Sequence, residues 1–205
     1  QLEEEIPEPH IVWKEQSSEI HAQVMGEVQI EILKDIIAKR FGVEVMYHEG
    51  DYSEFYIEGG QHYKAVDYTI ESDWSAAATI MVAAAIAGEV TVRNISTLSR
   101  QADTAICHAL ERAGASIVIE HDSITVAHRA LPAFSFDATQ CPDLFPSLVA
   151  LAAAAEGVST IYGIARLRGK ESDRGEVLRD EYHKLGIDIE LDYDEDVMRI
   201  VGGTP

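Results

Sequence analysis

From residue 68 the chain writes one order of elements twice. Residues 68–71 read as a strand, 73–87 as an Ala-rich helix before Gly88, 90–94 as a strand, 101–113 as a helix before Gly114, and 116–120 with 123–127 as a hairpin. The order then returns: a strand at 133–136, an Ala-rich helix at 143–156 before Gly157, a strand at 160–163, a helix at 172–185 before Gly186, and a hairpin of 187–191 with 197–201. Gly88 answers Gly157 and Gly114 answers Gly186, a period of about seventy residues. Two β-α-β-α-β-β units predict an α/β fold, with sheets outside and the Ala-rich helices buried between them.

A repeat supplies its own control, because what both copies carry serves the scaffold. The second copy packs Arg166, Arg168, Lys170 and Arg174 into nine residues, and the first copy has one cation, Arg100, at the matching place. The chain has 36 acidic residues, 16 basic ones and a formal charge of -20, so cations gathered this tightly need a local reason. Arg and Lys are the side chains that hold phosphate and carboxylate groups. The spacings from Lys170 and Glu171 to Arg174 predict one shared helix face. A solvated helix start laced with ion pairs is the plain alternative. Asp143, at the head of the second Ala-rich helix, reads first as an N-cap. Trp74 stands opposite it in the first copy.

The run Leu167-Arg168-Gly169-Lys170-Glu171-Ser172-Asp173-Arg174, with Pro142-Asp143 before it and the stretch from Tyr68 to Ser75 earlier still, resembles the signature of the 5-enolpyruvylshikimate-3-phosphate (EPSP) synthases. The likeness covers residues 51–205. It implies repeated units of the enolpyruvyl transferase inverse-barrel type, three to a domain, of which this chain holds two. It also implies transfer of the carboxyvinyl group of phosphoenolpyruvate to the 5-hydroxyl of shikimate 3-phosphate, with release of phosphate through a tetrahedral intermediate, and no cofactor or metal. By the same resemblance Asp143 binds the shikimate hydroxyls as candidate base, Lys170 contacts the shikimate moiety, Glu171 moves the methylene proton and Arg174 grips the phosphoenolpyruvate carboxylate. Arg166 falls at a further substrate-contacting position where the family has Asn or Glu. The Ser-Ser-Gln motif that holds the shikimate phosphate is not found, and Gln16-Ser17-Ser18 is similar only in composition. With part of the site missing, the chain alone is expected to be inactive.

The opening reads differently. Strands are predicted at 10–14, 19–25 and 43–48, with an amphipathic helix at 28–41. The run from Trp13 to Lys34, followed by Arg40-Phe41-Gly42-Val43, resembles the third domain of elongation factor G and the ribosome-protecting tetracycline-resistance proteins. That likeness implies a partial ferredoxin-like segment over 1–50, ahead of units at 51–130 and 131–205. A ribosome-interacting fragment of a translational GTPase is therefore the alternative reading, and a non-catalytic repeat scaffold is a third. A sister transferase acting on UDP-N-acetylglucosamine shares the unit but lacks Lys-Glu-Ser-Asp-Arg.

Acidity argues against a nucleic-acid partner, whose footprint would be basic. No apolar run reaches the length of a membrane span. Two cysteines, Cys107 and Cys141, make no disulfide framework and fit a reducing cytoplasm. The scattered histidines offer no metal-ligand spacing. The first residue is not Met, so the chain is expected to be a piece of something longer.

Overall fold

The structure is a computed structural model describing residues 10–14, 19–23, 27–42, 46–48, 54–56, 60, 62–168 and 173–203. The chain divides into two compact units, 1–70 and 71–205.

In the first unit, strands β1 (His10–Lys14) and β2 (Glu19–Gln23) form an antiparallel hairpin. Helix α1 (Glu27–Phe41) follows, close to the predicted span. It stops at Gly42, whose N–H donates to Ala38 O at 3.0 Å. Strand β3 (Met46–His48) then pairs antiparallel with β4 (Glu54–Tyr56). The predicted tails of β2 and the start of β3, at 24–25 and 43–45, lie outside the described residues.

The second unit carries the repeat. Its first copy runs α2 (Trp74–Ala87), β5 (Glu89–Arg93), α3 (Ile106–Arg112), β6 (Ser116–Ile119) and β7 (Ser123–Ala127). The second runs β8 (Ser135–Asp137), α4 (Phe145–Ala154), β9 (Gly157–Tyr162), α5 (Arg174–His183), β10 (Asp188–Asp192) and β11 (Val197–Gly202). Short 3-10 turns precede α3, α4 and α5, at Ala102–Ala105, Pro142–Leu144 and Ile164–Leu167.

Strand order repeats with the sequence. The first sheet is β5-β7-β6 and the second is β10-β11-β9-β8. In each copy the last strand lies between its hairpin partner and the strand after the Ala-rich helix, and pairs antiparallel with both. The turns after α3 and α5 also match: Ala115 N–H donates to Leu110 O at 3.0 Å, and Ile187 N–H to Tyr182 O at 3.1 Å. Gly114 and Gly186 take positive φ there, +81° and +79°.

The copies differ at their first strand. β8 pairs parallel with β9, and it buries Phe136 beside Phe134. The strand expected at 68–71 does not form. Its apolar side chains find no core, Tyr68 being 41% and Ile70 79% exposed. Ser72 bonds instead to Asn94 O, and Gln101 reaches Glu71 and Ser72.

The Ala-rich helices α2 and α4 pack on one another between the sheets. Ala77, Ala78, Met81, Val82, Ala84 and Ala85 are buried on α2, and Phe145, Leu148, Val149, Leu151 and Ala152 on α4. Small side chains let the helix axes approach, and Thr79 and Ser147 share a hydrogen bond at 3.2 Å across the contact. Trp74 is 2% exposed, a core residue at the head of α2. Helix α5 is peripheral and buries only Gly175.

Candidate functional site

The head of α4 lies where the repeat predicts a charged site. Asp143 sits in the 3-10 turn Pro142–Leu144. The plain expectation is an N-cap, but no side chain caps α4. Asp143 Oδ1 instead accepts from Arg174 Nη1 at 2.8 Å, across thirty-one residues of sequence. Arg174 is the first residue of α5. The two side chains are 28% and 31% exposed, so the pair faces a partly solvated surface. A pair this exposed contributes about 1 kcal/mol or less to stability. It is better suited to hold charge in place than to hold the fold together.

Arg166 comes from a third element. It is half-buried in the 3-10 turn Ile164–Leu167, and that turn lies against the turn holding Asp143. Gly163 lets the start of the Arg166 turn lie close to Thr139, a few residues ahead of the Asp143 turn. Its φ is +100°, and a Cβ there would fall 2.7 Å from the backbone of Thr139.

Lys170 and Glu171, the other two predicted site residues, lie outside the described residues. Their helix-face spacing to Arg174 lies outside the described residues with them. α5 begins at Arg174 rather than at 172, because Asp173 takes an extended conformation and caps the helix. Its Oδ1 accepts from Gly175 N at 3.1 Å and Glu176 N at 3.2 Å.

The sequence did not show that Tyr193 takes part, nor what Arg168 contacts. Arg168 belongs to the cationic cluster, but its guanidinium stacks 3.6 Å over the Tyr193 ring. Its Nε lies 3.8 Å from Asp173 Oδ2. Tyr193 Oη donates to Asp173 Oδ1 at 3.2 Å. Burial, and after it the Asp173 charge, raise the Tyr193 pKa above the ordinary phenol value. The hairpin turn around Tyr193 and Asp196 reads in sequence as solvated; in the structure it grips the approach to α5. The cap itself was legible, since Asp173 with Glu176 three residues on is a helix-start pattern.

The surroundings of Asp143 are acidic. Cys141 is 3% exposed, and its thiol is pushed up to about 12 by burial and then by Asp103, Asp137 and Asp143. Asp103 belongs to the first copy, where it is buried and accepts from Ser75 Oγ. The heads of α2 and α4 therefore sit close together.

An open groove of about 500 Å³ lies elsewhere, between α5 and the second sheet, lined by Arg179, Asp180, His183, Asp188, Glu190 and Arg199. These charges answer one another: Arg179 pairs with Asp180, His183 with Asp188 and Arg199 with Glu190. The groove is better explained as a solvated ion-pair network than as a ligand site. Among the described residues, no three metal-ligating side chains gather, and no helix is long and apolar enough to cross a membrane.

Known proteins resemble the chain as follows. The family model described as EPSP synthase (3-phosphoshikimate 1-carboxyvinyltransferase) matches residues 11–205. The match takes in most of the opening stretch as well, and neither the translational-GTPase likeness nor a ribosome-interacting role finds support. The chain is 39% identical over 172 residues to the 3-phosphoshikimate 1-carboxyvinyltransferase of Brachyspira hyodysenteriae, covering 81% of this chain and 40% of that protein. It is 37% identical over 170 residues to the Clostridioides difficile enzyme of the same name, covering 81% and 38%. Among solved structures, an EPSP synthase from Acinetobacter baumannii matches with a TM-score of 0.66 at 28% identity, covering 83% of this chain and 40% of that one. The enolpyruvyl transferase NikO from Streptomyces tendae matches with a TM-score of 0.61 at 19% identity, a likeness of fold alone. The chain thus spans about two fifths of the length of these relatives.

Proposed function

The chain belongs to the EPSP synthase family, and from that premise we propose that it supplies one wall of a carboxyvinyl-transfer site. The substrates are phosphoenolpyruvate and shikimate 3-phosphate. Both are anions, so cations must position them, and carboxyl groups must move the protons. Arg174 grips the carboxylate of phosphoenolpyruvate with its planar fork. Asp143 orients the shikimate hydroxyls and takes the proton of the attacking 5-hydroxyl as it bonds to C2 of phosphoenolpyruvate. Glu171 delivers a proton to the methylene carbon and recovers one as phosphate leaves. Lys170 and Arg166 hold the shikimate moiety. Arg166 stands where relatives of the expected pattern have Asn or Glu, so its grip is more strongly anionic in preference. The reaction completes with groups from the rest of a full-length enzyme, in a cytoplasmic setting.

The observation that carries this reading is the Arg174–Asp143 pair at 2.8 Å. It joins the two most separated members of the predicted set, at the place where only the second copy concentrates charge. An amide-shift titration of the purified chain with each substrate tests it. The proposal expects saturable shifts centred on residues 143, 166 and 174, and no phosphate release by the chain alone. Absence of saturable shifts would reject the proposal in favour of a non-catalytic scaffold, and phosphate release by the chain would show that its site is complete.

A further inference from the structure

The β10–β11 turn grips both flanks of the cationic segment. On the upstream side, Asp196 O accepts from Gly163 N at 2.9 Å and Asp196 Oδ1 from Ala165 N at 2.7 Å. Downstream, Tyr193 Oη donates to Asp173, the residue that caps α5. Arg168 closes the cluster by stacking on Tyr193 and facing Asp173. The fit at this point is tight, because a Cβ on Gly175 would lie 3.2 Å from Tyr193 Oη.

The first copy shows which of these links the fold itself requires. Its β6–β7 turn uses backbone carbonyls: Asp122 O accepts from Ile95 N at 3.3 Å, and His121 O from Thr97 Oγ1 at 3.4 Å. The backbone link is therefore common to both copies. Among the described residues, the links through the Asp196 carboxylate and through Tyr193, Arg168 and Asp173 occur in the second copy alone. They accompany the cations, and Asp173 is the residue immediately before Arg174.

We infer that Tyr193, Arg168 and Asp196 are positioning residues for Arg174. Tyr193 and Arg168 fix the Asp173 cap, and with it the first turn of α5, at the distance from which Arg174 reaches Asp143, while Asp196 fixes the upstream end of the segment at Ala165. The inference rests on the reading of Arg174 as the grip on phosphoenolpyruvate. A side chain that holds a reacting anion works only if its own support is rigid, and a loosened support costs up to about a hundredfold in rate. The side-chain links of the β10–β11 turn are thus the second copy's addition to the shared unit, and they specify where the anion sits rather than how the sheet pairs.

Nuclear magnetic resonance on the purified chain tests this. Tyr193→Phe keeps the ring under Arg168 and deletes the hydroxyl, Tyr193→Leu deletes both, and His121→Ala is the matching first-copy control. Tyr193→Phe is expected to speed amide exchange at Gly175 and Glu176, shift the Arg174 guanidinium resonance, and weaken phosphoenolpyruvate binding about tenfold, within the loss that a misplaced holding group can cause. The thermal midpoint and the shikimate 3-phosphate affinity should stay near wild type. Tyr193→Leu should do more of the same, and His121→Ala nothing. Equal loss of both affinities together with a fallen midpoint would mark Tyr193 as structural and overturn the inference. So would unchanged Arg174 resonance and exchange in Tyr193→Phe. If the wild-type chain binds no phosphoenolpyruvate, the reading of Arg174 fails, while the resonance and exchange data still decide whether the turn positions it.

Discussion

The two copies of the repeat place their helix caps in opposite positions. In the first, Asp73 caps the inner helix α2 by accepting from Ser75 N at 2.9 Å and Ala76 N at 3.3 Å. The outer helix α3 and the turn before it have no side-chain cap. In the second, the inner helix α4 has no side-chain cap, and Asp173 caps the outer helix α5. Asp143, the carboxylate at the head of α4, is held by Arg174 instead. An N-cap contributes about 1 kcal/mol. The second copy forgoes that at α4 and spends its acid on a partly exposed ion pair, which contributes less. A scaffold copied for stability alone would have kept the cap on the buried helix. The difference is what the anion site proposed for the second copy would produce.

The largest effect should come from the backbone beneath this arrangement. Gly163 and Asn94 hold the same place, just after β9 and β5, and both have positive φ, +100° and +58°. Gly163→Ala adds a clash with the Thr139 backbone and should cost about 3 kcal/mol by chemical denaturation. Asn94→Ala meets only the left-handed penalty and should cost about 1 kcal/mol. Equal costs would mean that the close approach of the two turns is not required.

Smaller effects separate the two aspartates. Asp73→Ala should lower stability by about 1 kcal/mol through loss of the cap. Asp143→Ala should cost less in denaturation, because α4 is not capped by it, yet it should weaken binding of shikimate 3-phosphate. If Asp143→Ala proves the more destabilising of the two, the pair with Arg174 is structural.

The smallest difference is in the thiols. Burial and then Glu111 push Cys107 in the first copy up to about 11, and burial with three aspartates pushes Cys141 in the second up to about 12. Folded values above the unfolded one near 9 mean that this contribution to stability is complete below pH 9. It is lost as pH rises through about 11 to 12. Neither thiol should alkylate at pH 8 while the chain is folded. Asp143→Asn should lower the Cys141 value and leave Cys107 alone, which a pH series of alkylation rates in the folded chain would read.

Much of this was legible in the sequence, for reasons that can be named. The order of α4, β9 and α5 follows from helix-length runs set apart by glycine, although α4 ends at Ala154 and Gly157 opens β9. The meeting of Asp143 with Arg174 follows from a family pattern and not from spacing, because a contact across thirty-one residues depends on the sheet between them. The strand at 68–71 looked like β8 in period but lacked buried aromatics like Phe134 and Phe136 to hold it on the sheet. Tyr193 was hidden because its partner lies twenty residues earlier, on the far side of α5 in sequence. The opening stretch misled most. A hairpin, a helix and a strand recur in many α/β folds, so local likeness there discriminates poorly between families.

The most direct test of the central claim compares one cation from each copy. Phosphoenolpyruvate is titrated into the wild-type chain, Arg174→Ala and Arg100→Ala, and the dissociation constants are compared. The account predicts that Arg174→Ala weakens binding by about tenfold or more, while Arg100→Ala stays within about twofold of wild type. Equal losses at the two positions would show that the chain attracts anions through a diffuse field, and that the second copy holds no dedicated site.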